Sequence, residues 1–281
     1  MLNRPIPQEG GQIRILCASD WQMSFGERAA LEGVLSQLKP RLAIEIGTAE
    51  GGSLERVAAH SEEVHSFDLV PPADTARALP NVVFHTGNSH ELLPRLLGEL
   101  AEQGSNVDFV LVDGDHSAEG VRRDLVDLLD SPAVGRTLIV MHDTLNEVVR
   151  AGLEQVDYPG YPKVAHVDLD FVAGYMFREP SLEHELWGGL GLVIVDSARP
   201  AYFSGSVWQQ RYYEAFSLIR EARDCVVARE SGAAAAAERD RDALRQELEQ
   251  TRGWLDAIQA SGSWRLTAPL RRAKRSLGRA P

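Results

Sequence analysis

Two short stretches place acid and imidazole side chains where a strand would end. Phe109-Val110-Leu111-Val112 runs into Asp113-Gly114-Asp115-His116, and Leu138-Ile139-Val140-Met141 runs into His142-Asp143. Carboxylates with solvent suit a hard cation such as Mg²⁺, and an added imidazole shifts preference towards Mn²⁺, Fe²⁺ or Zn²⁺. The same imidazoles titrate near neutrality and so serve as proton acceptors. Each residue also has a plainer reading. Asp113 reads as a loop acid or a ligand contact, and Asp115 first as the cap of a helix starting near Ala118. His142 reads as a satisfied buried histidine or a ligand, and Asp143 as an Asx turn or a ligand.

A third stretch, Glu45-Ile46-Gly47-Thr48-Ala49-Glu50-Gly51-Gly52-Ser53, follows an apolar run and opens a helical one. A glycine-rich strand-to-helix turn lets the backbone approach a ligand and aims helix N-terminal N–H groups at it. Gly47-x-Ala49-x-x-Gly52 is a degraded dinucleotide fingerprint, whereas Glu45-x-Gly47-x-x-x-Gly51 puts an acid two residues before the first glycine. Asp68 ends the next apolar run, 21 positions beyond Gly47. An acid there accepts hydrogen bonds from both ribose hydroxyls of an adenosine-containing ligand. Asn88 and Ser89, after a further run, read as a turn or a helix cap.

Positioning these groups requires strands alternating with helices. Leu42–Ile46, Val64–Leu69, Val82–His85, Phe109–Val112 and Leu138–Met141 are short runs rich in Val, Ile, Leu and Phe, as expected of strands buried on both faces. Helical patterns lie around them at Gly26–Leu38, Ser53–His60, Glu91–Gln103, Ala118–Leu129 and Leu145–Val156. This alternation predicts an α/β fold: a doubly wound, mostly parallel, Rossmann-like sheet. Lys163–Val172 and Gly191–Asp196 bring the expected total to seven strands, the last pair joined by a long connection. Ligands in such sheets sit beyond the carboxyl ends of the strands, where all three stretches fall.

Length fits one to two domains. The 281 residues carry 29 Lys+Arg against 41 Asp+Glu, a net charge of −12, which argues against a general nucleic-acid binder. No run approaches 18 apolar residues, and the first residues contain no apolar stretch of signal-peptide length. Cys17 and Cys225 fit a reducing cytoplasm. After about Ser206 the composition turns helical, and Leu244, Leu248, Leu255 and Ile258 fit heptad positions of a coiled coil that could pair copies of the chain. Ser263–Pro281 holds six basic residues and no acid, so the preceding chain carries −18. The expected division is residues 1–205 for the sheet domain, 206–262 for the helical extension and 263–281 for a basic tail.

Together, Glu45–Ser53, Asp68, Asp113–Ser117 and His142–Asp143 resemble the bacterial class I S-adenosylmethionine-dependent methyltransferases whose strands end in D-G-D-H-S and H-D. The resemblance spans residues 20 to 196 and includes Trp187-Gly188-Gly189-Leu190-Gly191. It implies S-adenosylmethionine as cofactor, with Glu45, Gly47, Gly51, Ser53, Asp68, Asn88, Ser89 and Asp113 around it. Related metal-dependent O-methyltransferases place metal ligands at the first acid after strand four and at the pair ending strand five, and a base three residues after that acid. Carried across, Asp113, His142 and Asp143 fall at metal positions and His116 at the base position. Many of these relatives have Asp-Asn or Glu-Asp where this chain has His142-Asp143, so a metal-independent enzyme with His116 or His142 as base stays open.

The segment Ser261-Gly262-Ser263-Trp264-Arg265-Leu266-Thr267-Ala268-Pro269-Leu270-Arg271 resembles a signature on bacterial surface-polysaccharide glycosyltransferases and methyltransferases. It implies a saccharide hydroxyl as acceptor, with the apolar and basic tail docked on a protein or at the inner membrane surface. Two alternatives remain: an NAD-dependent oxidoreductase using the degraded fingerprint and Asp68, and a non-catalytic scaffold working through the helix and tail.

Overall fold

A computed structural model describes residues 21–177, 181–198 and 206–260. The first helix, α1 (Phe25–Leu38), leads into β1 (Leu42–Ile46), α2 (Gly52–His60), β2 (Glu63–Asp68), α3 (Asp74–Arg77) and β3 (Val82–Thr86). Then come α4 (Ser89–Glu102), β4 (Phe109–Val112), α5 (Ala118–Asp130), β5 (Arg136–His142) and α6 (Glu147–Glu154). The chain continues through β6 (Val164–Val172), β7 (Tyr175–Met176), β8 (Leu186–Trp187) and β9 (Leu190–Asp196) to α7 (Ser206–Ala260).

Seven strands form one sheet in the order β3-β2-β1-β4-β5-β9-β6. The first five are parallel, and β9 runs antiparallel between β5 and β6. The expected seven-stranded, mostly parallel architecture is therefore present. From β1 the order moves one way through β2 and β3, then returns to β4 on the other side of β1. The crevice of a doubly wound sheet opens at this switch, beyond Ile46 and its register partner Val112.

Alternation along the strands divides the core. Ala43, Phe109, Leu111 and Val140 pack with Leu31, Leu35, Leu54 and Val57 of α1 and α2. Ile44, Ile46, Val110 and Val112 point the other way, towards Leu93, Leu97, Leu125, Leu128 and Leu153 of α4, α5 and α6. Both faces of the central strands are covered, which is why their sequences are almost wholly apolar.

Capping accounts for where boundaries differ from the sequence reading. The Asn88 side chain accepts from His90 N, so α4 begins at Ser89 rather than Glu91. Asn146 accepts from Val148 N and Val149 N, so α6 begins at Glu147 rather than Leu145. β5 continues through His142, which pairs with Leu190 of β9 and so lies inside the ladder rather than beyond it. The long connection before β9 contains the β7–β8 hairpin, two residues per strand.

The described residues divide into two units on either side of Arg220. Within the first, Phe216 is buried with Leu145 and Leu186, and Arg220 Nε lies 2.9 Å from Glu147 Oε1. In the second, Leu244, Leu248 and Leu255 are exposed on the continuous helix α7. Among the described residues no helix is long and apolar enough to cross a membrane. The basic tail and Cys17 lie outside the described residues, and Cys225 is an exposed free thiol.

Two glycines test this packing with opposite signs. A Cβ on Gly152 of α6 would meet Ala118 O at 2.2 Å, whereas a Cβ on Gly33 of α1 would meet nothing within 4 Å. Gly152→Ala is expected to destabilise the protein by roughly 1–3 kcal/mol through overpacking. Gly33→Ala is expected to stabilise it by roughly 0.5–1 kcal/mol through helix propensity. Chemical denaturation of both variants checks the pair.

Candidate active site

The glycine corner forms because nothing larger fits. Gly47 follows β1 with φ +92, and a Cβ there would lie 2.0 Å from the Asp113 carbonyl oxygen. Glycine alone combines that conformation with that approach. Asp68 closes the turn from the end of β2: its Oδ2 accepts from Thr48 N at 2.9 Å and Ala49 N at 3.0 Å. Gly51, with φ +83, is the N-cap of α2.

Glu45 lies beneath this corner, fully buried on β1. Its Oε1 accepts from Ser53 Oγ at 2.5 Å, and its Oε2 has no hydrogen-bond partner. Burial pushes its pKa up to about 8; the Ser53 hydrogen bond opposes this and the Asp113 charge adds to it.

Asp113 and His116 come from the loop after β4, His142 ends β5, and Asp143 follows with φ +56. The four side chains converge. His142 Nδ1 lies 3.0 Å from Asp113 Oδ1 and 3.4 Å from Asp143 Oδ2. His116 Nε2 lies 3.5 Å from Asp113 Oδ1 and 3.3 Å from Asp143 Oδ2. The other Asp143 oxygen accepts from Gly188 N at 2.8 Å, which ties the acid to the turn before β9. Burial pushes the His142 pKa down, but Asp113, Asp143 and Glu27 together hold it well above the ordinary histidine range. The Asp113 hydrogen bond raises the His116 pKa against a smaller effect of burial. Burial raises the Asp113 pKa, yet His142 and His116 outweigh it and hold the carboxyl below its ordinary value.

Glu27, a residue the sequence reading did not single out, completes the cluster. It sits in the first turn of α1 with no solvent exposure, and its Oε1 lies 3.4 Å from His142 Nε2. The same oxygen accepts from Gly189 N, while the other accepts from Ser24 N in a capping box. Ser24-x-x-Glu27 is legible as a cap; its partners more than a hundred residues away are not.

Two cavities open at this end of the sheet. One, of about 680 Å³, is lined by the glycine corner, Asp113, His116, His142 and Asp143, with Trp21, Tyr175, Phe177 and Trp187 as aromatic walls. The other, of about 510 Å³, is lined by Asp68, Asn88, Ser89 and Asp115. Gly47 and His116 line both. Every sequence-predicted site residue except Glu45 borders one cavity or the other, and Glu45 is bonded to Ser53 at the wall of the first. Asp113, His116 and Asp143 each offer one atom within 4.8 Å of the others, a spacing that fits a metal ion. His142 instead directs both ring nitrogens at carboxylates.

The protonated state of Glu45 has a measurable consequence. A carboxyl whose folded pKa is raised from 4.5 to about 8 keeps a proton the unfolded chain releases, so its contribution to stability falls as pH rises from about 4.5 to 8. Glu45→Gln removes this dependence. The melting temperature of Glu45→Gln relative to the parent is therefore expected to climb by several degrees between pH 5.5 and pH 8.5. A constant difference across that range would show that Glu45 is not held neutral.

Residues 44–144 match the family model described as a methyltransferase domain. No curated protein matches the sequence. Among solved structures, the chain is similar to an O-methyltransferase from Bacillus cereus in complex with SAH, at 14% identity and a TM-score of 0.42, covering 59% of this chain and 79% of that one. It is also similar to the O-methyltransferase TomG from Streptomyces achromogenes, at 16% identity and a TM-score of 0.40, covering 59% and 78%. The N-methyltransferase NodS from Bradyrhizobium japonicum WM9 gives 12% identity and a TM-score of 0.42, covering 65% and 95%. The matched segment holds the glycine corner, Asp68, Asp113, His116, His142 and Asp143, and it is a methyltransferase domain.

Proposed function

We propose that the protein is an S-adenosylmethionine-dependent methyltransferase that methylates a hydroxyl of a saccharide or glycan precursor. The observation that carries this reading is the convergence of Asp113, His116, His142 and Asp143 on a cavity shared with the glycine corner. The donor fits the residues present: Glu45 Oε2 is buried without a partner beside the turn, as suits a cationic ligand, and Asp68 lies at the wall of the adjoining cavity.

When bound, the donor supplies a methyl group already activated on a sulfonium. What remains for the chain is to align the acceptor and remove its proton. His116 is the base: half exposed at the cavity, it takes the hydroxyl proton on Nε2, which Asp113 and Asp143 already face. His142 is buried and kept protonated by its carboxylates, so it orients Asp113 and Asp143 rather than accepting a proton itself. The aromatic walls favour a saccharide, whose C–H faces pack on rings while its hydroxyls meet the polar floor. Trp187 stands edge-on to His116 at 5.7 Å between ring centres, beside the proposed position of the acceptor. The basic tail then docks the enzyme near a membrane-bound or protein-bound acceptor.

The spacing of Asp113, His116 and Asp143 favours a second reading, in which these three hold a divalent cation that lowers the pKa of a coordinated hydroxyl. In that case His116 is a ligand and not the base.

Calorimetry with S-adenosylmethionine and with NAD tests the donor: the sulfonium is expected to bind and the dinucleotide not, and NAD binding alone would reverse the assignment. His116→Ala is expected to lower turnover about 10²–10⁴-fold while donor affinity changes little. Chelation separates the two roles of His116. Turnover that survives EDTA identifies the base, and turnover lost to EDTA and restored by Mg²⁺ or Mn²⁺ identifies the ligand.

A further inference from the structure

A second acid–imidazole group lies beside the smaller cavity. His90, in the first turn of α4, is largely buried, with side-chain exposure of 13%. Its Nδ1 faces Asp124 Oδ1 of α5 at 3.1 Å, and its Nε2 meets Asp115 Oδ2 at 3.4 Å. Asp124 has no solvent exposure, and neither of its oxygens has a hydrogen-bond partner of good geometry. His90 is the one cationic group paired with it among the described residues. Burial pushes the Asp124 pKa up to about 7 despite His90, and Asp115 and Asp127 add to the rise. An acid this buried with one ring beside it holds that ring in place, because leaving the contact would strip Asp124 of its compensating partner.

The other end of the pair is built with equal care. Asp115 Oδ1 accepts from Ser117 N at 2.8 Å, and its carboxyl rests where a Cβ on Gly120 would lie, 2.1 Å from Asp115 Oδ2. Arg123 of α5 donates to His90 O at 3.0 Å, locking the first turn of α4 to α5. Asp115 is therefore fixed by three neighbours, yet its side chain keeps 43% of its exposure and lines the cavity with Phe67, Leu69, Gly87, Asn88 and Gly114. The cavity thus has apolar walls for a flat ring, Asp68 at one side and an ionised acceptor at the other.

We propose that Asp115, positioned by His90 and Asp124, accepts a hydrogen bond from the 6-amino group of adenine and makes the site select adenine over its 6-oxo counterpart. This rests on the donor assignment under Proposed function and specifies how that donor is read. A carboxylate offers only lone pairs, so it attracts an amine and repels a carbonyl oxygen in the same place. His90 is a positioning residue here: it orients the acceptor without touching the base.

The test compares affinities for S-adenosylhomocysteine and S-inosylhomocysteine by calorimetry. The parent protein is expected to prefer the adenosyl compound roughly 10- to 100-fold, the range of a hydrogen bond to a charged group. Asp115→Asn, whose amide can turn either way, is expected to bring the ratio near one. His90→Phe and Asp124→Asn are expected to lower it at least several-fold, chiefly by weakening the adenosyl compound. A purely structural loss would weaken both ligands equally and leave the ratio unmoved, and that result overturns the proposal. Asp115 is exposed enough for its variant to fold if the two buried ones do not. A parent ratio near one also overturns the proposal while leaving the donor assignment standing, whereas failure to bind S-adenosylhomocysteine at all overturns both.

Discussion

His142 has both ring nitrogens turned to carboxylates, Nδ1 to Asp113 and Nε2 to Glu27, with Asp143 also within 3.4 Å. Three acids could not be packed this closely without a cation among them, since each would lose its hydration and repel the others. The imidazolium removes that conflict. Its partners come from α1, from the loop after β4 and from the end of β5, so one buried ring fixes three separate stretches of chain. Glu27 and Asp143 extend the bond to the backbone N–H groups of Gly189 and Gly188, and so to the turn before β9. The antiparallel strand inserted beside β5 is thereby locked to the catalytic end of the sheet.

The same pairing sets the charge of the cavity. Asp113 and Glu45 are both buried carboxyls, yet one is held ionised and the other neutral. The difference is the company each keeps. Asp113 has two imidazoles within 3.5 Å, whereas Glu45 has a hydroxyl and a nearby like charge. Even with both rings protonated, Glu27, Asp113 and Asp143 leave the cluster with an excess negative charge. A sulfonium or a divalent cation is the kind of ligand that such a cavity favours, and both functional readings draw on that one property.

How much of this was legible follows from burial. β1 and β4 are covered on both faces, so their sequences are unbroken apolar runs and their ends fall where the residues indicate. The acids and imidazoles after them stand out because polar groups so close to buried strands need a reason. The β7–β8 hairpin carries no such signal: two residues per strand cannot show a period, so Tyr175 and Trp187 were not foreseen as walls of the cavity. Glu27 was hidden for a different cause. In sequence it completes a capping box with Ser24, a sufficient local explanation, and its contact with Gly189 spans 162 positions. His90 and Asp124 were likewise silent, each sitting in an ordinary helical pattern with its partner on another helix.

The segment Asp113-Gly114-Asp115-His116 shows why site and fold cannot be separated in this molecule. The carbonyl of Asp113 occupies the space a side chain at Gly47 would need, and the carboxyl of Asp115 occupies the space a side chain at Gly120 would need. Gly114 between them has room for no more than a tight contact with Ile46, 3.0 Å from a would-be Cβ. The loop is thus seated between β1 and α5 by two glycines, one against each acid. A larger residue at Gly47 would displace the backbone that carries Asp113, and with it the groups that face His142 and His116. Such a change alters the wall of the proposed donor site and the proposed proton acceptor together, because one backbone contact holds both.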